Sequence, residues 1–152
     1  MTAALAGRAD ALRLLARRGA SLELLNRAGA TALHMAVEGS HLDAVVALLD
    51  VGASIHRRTT SGDPIMGLAA ERASAAVCEL LLARSARIDE ADAEGDRPLM
   101  RAVIGDNGAC IPVLVRRGVP VEGVVRAGLS ALIVAARENG HADVVTLLAA
   151  AR

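Results

Sequence analysis

Apolar and polar positions alternate along the chain in blocks that spell out a pair of helices and a turn. From Thr31 to Glu38, Leu33, Met35, Ala36 and Val37 predict a short helix that starts at a hydroxyl residue suited to capping free backbone N–H groups. From Leu42 to Val51, Val45, Val46, Leu48 and Leu49 predict a second helix with an apolar face. Gly52 supplies the left-handed backbone that ends it. Between Ala53 and Gly62 the chain is polar apart from Ile55, which predicts an extended hairpin projecting from the helices.

The same succession then returns. Gly29, Gly62, Gly95 and Gly128 are each 33 residues apart, and seven positions after each stand Ala36, Ala69, Ala102 and Ala135. The apolar pairs Leu15-Ala16, Leu48-Leu49, Leu81-Leu82, Leu114-Val115 and Leu147-Leu148 keep that step, as do the turn residues Gly19, Gly52, Ser85 and Gly118. A period of this length is the mark of a repeat array. The chain reads as a single domain of five units, at about 1–24 (partial), 25–57, 58–90, 91–123 and 124–152 (partial).

At these residues the chain resembles the ankyrin-repeat family. Asn26-Arg27-Ala28-Gly29-Ala30-Thr31-Ala32-Leu33-His34-Met35-Ala36 follows that family's D-x-x-G-x-T-P-L-H-x-A opening, and Ser40-His41 stands for its Gly-His. Asp92, Gly95, Pro98, Leu99 and Ala102 match in the fourth unit, and Gly128, Ser130, Leu132, Ala135, Ala136, Gly140 and His141 in the fifth. The third unit departs, with Pro64 where Thr is usual and Gly67 where His is usual. The resemblance implies an all-α solenoid, an ankyrin-type stack of helix-turn-helix units with projecting β-hairpin loops. A tetratricopeptide array has a comparable period, but its signature needs aromatic residues that are absent here. Pro112 inside a second helix would cost about 3 kcal/mol. The preceding Gly105-Asp106-Asn107-Gly108 therefore predicts a lengthened loop and a late helix start, with Pro112 in the first turn.

Composition narrows the function. Of 152 residues, 53% are apolar, and seventeen basic residues balance seventeen acidic ones, so no long-range field draws in nucleic acid. Every basic residue is arginine, and Phe, Trp, Tyr, Lys and Gln are absent. That removes lysine-dependent chemistry, tyrosine acids and aromatic stacking platforms. Cys78 and Cys110, one residue out of phase on neighbouring second helices, are expected to be free thiols filling apolar space in a reducing compartment. No apolar run approaches a membrane span, so a soluble cytoplasmic or nuclear protein is expected.

No catalytic residue, metal site or cofactor is expected. Thr31 and His34 are read as a helix cap and, by the resemblance, an imidazole that bonds backbone and ties units together. Carboxylates on the fourth finger, Asp89, Glu90, Asp92, Glu94 and Asp96, sit on an open tip rather than in a pocket, and Asp92 is a turn-former. The resemblance implies a non-catalytic protein–protein interaction module that grips a protein or peptide with hairpin tips and the exposed side of first helices. Mapped by register, the partner-binding candidates are Arg27, Glu38, Arg57, Arg58, Thr60, Asp63, Glu71, Arg72, Glu94, Asp96, Arg126, Arg137 and Glu138. The alternative is a structural or oligomerising segment of a longer polypeptide, self-associating through the apolar final helix from Asp143 to Ala151.

Overall fold

Several helices begin where the sequence places a hydroxyl residue or a proline at the start of an apolar run: Thr31 before α3, Pro64 before α5, Ser74 before α6 and Pro98 in α7. The structure, a computed structural model, describes residues 1–120 together with Gly140, Ala142, Val145 and Thr146. Among these, eight helices and no strand are formed: α1 (Thr2–Leu5), α2 (Ala9–Arg17), α3 (Ala32–Glu38), α4 (Leu42–Asp50), α5 (Ile65–Arg72), α6 (Ala75–Ala83), α7 (Pro98–Ile104) and α8 (Ile111–Arg116). At the start of α3, Thr31 accepts from the His34 backbone N–H while the His34 ring accepts from the Thr31 N–H, a reciprocal cap that satisfies two otherwise orphaned donors. Pro98 lies in the first turn of α7 and Pro112 in the first turn of α8, where the missing N–H costs nothing. The late start expected ahead of Pro112 is therefore what the chain does.

The helices lie in two rows. The first helices α1, α3, α5 and α7 pack in succession, and behind them α2, α4, α6 and α8 do the same, each pair also touching within itself. One continuous apolar cluster runs through both rows. Its rows follow the repeat: Leu33, Met66 and Leu99; Ala36, Ala69 and Ala102; Leu48, Leu81 and Leu114 are all buried. The backbone repeats as well, since Gly29, Gly62 and Gly95 take φ of +73°, +90° and +89°. Gly128 lies outside the described residues, as do Ala135, the Leu147-Leu148 pair, His141 and most of the final helix. Ser85 adopts φ +70° at the turn where Gly19, Gly52 and Gly118 stand, a conformation that is costlier for a residue with a Cβ.

The cysteines depart from expectation. Cys78 and Cys110 form a disulfide, with Cα atoms 6.2 Å apart, so neither is a free thiol. Packed helix axes lie about 8–10 Å apart, but residues that face each other across a joint are closer than the axes. The late start of α8 also leaves Cys110 at the N-cap, beside Cys78 on α6. The bond staples the third helix pair to the fourth.

Two measurements test this account. Reduction by a dithiol should lower the unfolding free energy by about 2–4 kcal/mol, because it releases a loop closed across 32 residues; an unchanged urea midpoint would show that the bond is not formed. Leu81→Ala, which empties a fully buried position, should cost about 2–5 kcal/mol in the same titration.

Candidate functional site

The fingers between helix pairs are built from one device used three times. Asn26, Thr59 and Asp92 occupy the same register, and each closes a tight turn with its side chain. Asn26 Oδ1 accepts from the Ala28 and Ala30 N–H groups at 2.9 and 3.0 Å. Thr59 Oγ1 accepts from the Asp63 N–H at 3.0 Å, and Asp92 Oδ1 accepts from Glu94 and Asp96 at 3.1 and 2.7 Å. The projecting loops are thus single turns clamped at their base, which is the behaviour of short polar side chains at such corners.

Neighbouring fingers are tied together. The Thr60 N–H donates to the Gly29 carbonyl at 3.1 Å. A Cβ at Gly29 would collide with Thr60, so this close approach requires glycine. Arg58 reaches from one finger to the next, donating to the Gly62 carbonyl at 2.6 Å, the Ala91 carbonyl at 2.9 Å and the Glu90 carboxylate at 2.7 Å. Behind the fingers, Arg101 on α7 gathers three carboxylates. It pairs with Asp92 at 2.8 Å, with Asp63 at 3.2 Å, and with Glu71 on α5. Burial works to lower the Arg101 pKa, but the hydrogen bonds to Asp92 and Glu71 and the Glu71 and Asp63 charges outweigh it and hold the guanidinium above its ordinary value.

The loops between paired helices carry a second set of ties. His41, Ser74 and Asn107 share a register, and each connects its unit to the one before. The His41 Nε2 lies 2.8 Å from the Leu5 carbonyl, the Ser74 N–H donates to Ser40 Oγ at 2.8 Å, and Asn107 Nδ2 donates to the Ala70 and Ala73 carbonyls at 3.0 and 2.9 Å. The His34 Nδ1 lies 2.8 Å from Thr31 Oγ1, within its own unit. Burial lowers the His34 pKa, opposed by the Arg57 backbone and the Glu23 and Asp63 charges.

The sequence candidates divide into two groups. Glu38 and Arg72 pair with each other at 3.2 Å, Arg58 is committed to Glu90, and Asp63 and Glu71 are committed to Arg101. These five hold adjacent units together. Arg27 and Arg57 are exposed and in no ion pair, Thr60 and Glu94 are exposed on their tips, and Asp96 is half-buried with its carboxylate outside any ion pair. Arg126, Arg137 and Glu138 lie outside the described residues. Arg101 escaped sequence reasoning although it carried a signal, because a charge stands where Met35 and Leu68 occupy the same register. Among the described residues no group of three His, Cys, Asp or Glu side chains is placed to hold a metal ion. No helix among them is long and apolar enough to cross a membrane.

The comparisons with known proteins agree with this geometry. The model of the ankyrin repeats, in three copies, matches residues 1–59 and 65–152. The chain is 33% identical over 145 residues to human ankyrin repeat domain-containing protein 63, covering 93% of this chain and 29% of that protein. It is 34% identical over 128 residues to the mouse B-cell lymphoma 3 protein homolog, covering 81% of this chain and 29% of the relative. With the Caenorhabditis elegans ankyrin repeat and KH domain-containing protein mask-1 it shares 30% identity over 156 residues, covering 99% of this chain and 6% of the relative. The chain spans less than a third of the length of each.

Two outcomes follow from the ties. Replacing Arg101 by Leu leaves the buried Asp92 carboxylate without its cation and should destabilise by about 1–3 kcal/mol in chemical denaturation. Because the folded His34 resists protonation, the unfolded chain takes up a proton first as pH falls below about 6.5. The His34 contribution to stability is then complete above that pH and is lost progressively below it, toward the lowered folded pKa. The urea midpoint of the wild type should fall between pH 7 and 5, and that of His34→Gln should fall less.

Proposed function

The chain belongs to the ankyrin-repeat family, a general protein–protein interaction module, and from that premise we propose that it presents a concave surface of finger tips and first helices to a protein or peptide partner, without catalysing a reaction. What supports this reading is the cross-linking of successive fingers through the Thr60–Gly29 bond, Arg58 and Arg101. Fingers held in place before a partner arrives lose little conformational freedom on binding, so more of the contact energy remains as affinity. The side chains open to a partner are Arg27, Arg57, Thr60 and Asp96, with Glu94 exposed on the same tip as Asp96, and Arg126, Arg137 and Glu138 extend the surface by register. Thr31 and His34, which make the hydroxyl–imidazole contact seen among the described residues, are both buried and occupied in capping α3.

We propose one array of five units over residues 1–152, in the cytoplasm or nucleus; there the Cys78–Cys110 pair would meet reducing conditions. A second reading, a structural or oligomerising segment of a longer polypeptide, is favoured by the short share of each relative that the chain covers. Sedimentation separates the two, since a stable monomer opposes self-assembly.

The surface assignment is tested by charge reversal. Arg27→Glu with Arg57→Glu should shift folding stability by no more than about 0.5 kcal/mol while reducing recovery of partners in a pull-down from source cytosol. Undiminished recovery with a folded variant would exclude these tips from the interface.

A further inference from the structure

The outer face of α2 repeats the chemistry of the internal joints without an occupant. Leu15 is 47% exposed, whereas Leu48, Leu81 and Leu114 in the same register are fully buried. Beside it Leu14 is 56% exposed, and an apolar cleft of about 420 Å³ runs from Leu12 and Leu15 past Leu22 and Leu25 to Ala32 and Leu48 of the next unit. Arg17 and Arg18 border this face, both exposed and neither in an ion pair. They stand in register with Arg116 and Arg117, which close on Glu79 of α6 at 3.2 and 2.5 Å. Arg18 is likewise in register with Arg84, which holds Asp50 of α4 at 2.8 Å. The molecule thus shows twice what meets this face when it is covered: an apolar helix that brings one carboxylate to a waiting guanidinium.

We infer that the outer face of α2 is a second docking surface, separate from the finger tips, for a partner helix that is apolar along one side and carries a glutamate or aspartate. Leucine side chains of that helix cover Leu14 and Leu15, and its carboxylate takes the place that Glu79 has between Arg116 and Arg117. Guanidinium groups favour this occupant, because their planar donors match a carboxylate and tolerate partial desolvation.

A labelled peptide with the sequence of residues 74–84, carrying Cys78→Ala, is the probe, titrated by fluorescence anisotropy against the full chain. Saturable binding is expected, weakened about tenfold or more by Arg17→Glu with Arg18→Glu, since like charges then face each other. The same loss is expected with the unaltered protein when the peptide carries Glu79→Arg, which keeps the test independent of how the variant chain folds. Absence of saturable binding, or equal affinity for both peptides, overturns the inference. So does a concentration-dependent dimer in sedimentation that Arg17→Glu abolishes, which would give the face to a second copy. None of these results depends on the finger-tip partner, so the two surfaces stand or fall separately.

Discussion

The close approach of successive first helices is the constraint on which the rest of this structure depends. Ala36, Ala69 and Ala102 are fully buried where α3, α5 and α7 pack in turn, and a larger side chain at any of them would force the row apart. The chain contains no aromatic residue to fill a wider gap. Leucine, valine and alanine therefore do the packing, and the distance they set is the distance the polar ties must span. Arg58 reaches Glu90, Arg101 reaches Asp63, and the Thr60 N–H reaches Gly29 because each unit is stacked at that spacing.

An array of this kind has no central core, so its stability is distributed over joints. In this chain the joints between the second and third and between the third and fourth units are apolar within and ionic at the edge. Between helices the ionic edge has a direction: in the pairs Glu38–Arg72, Asp50–Arg84, Glu71–Arg101 and Glu79–Arg117 the carboxylate lies in the earlier unit and the arginine in the later one, whereas between fingers Arg58–Glu90 runs the other way. Exposed pairs of this type contribute little each. Arg101 is different, because Asp92 is nearly inaccessible and its charge needs a counterion. Residues used in this way are withdrawn from the surface, and the groups left for recognition are correspondingly few.

The architecture was legible because it is periodic. Gly29, Gly62 and Gly95 could be aligned by counting, and the backbone places them in matching bends. Pro112 was legible from local chemistry alone, since its position fixed where α8 must begin. The division of the charged residues was not legible in the same way. Glu71 and Arg27 look alike in sequence, both polar at variable positions, and only the arrival of Arg101 from the next unit separates them. The disulfide was missed for a related reason: helix spacing is a property of axes, whereas the separation of Cys78 and Cys110 depends on which faces meet. His34 was read correctly as structural, but its partner within the unit depends on ring orientation, which sequence does not carry.

The covalent bridge between Cys78 and Cys110 also changes the mechanical topology of the chain. Tension applied at the two termini passes through the sulfur atoms and bypasses the segment between them. Stretched to full length, the oxidised molecule would fall roughly 100 Å short of the reduced one, at about 3.4 Å per residue. A pulled array would peel from its outer units while the bridged pair of units kept its loop out of the load path.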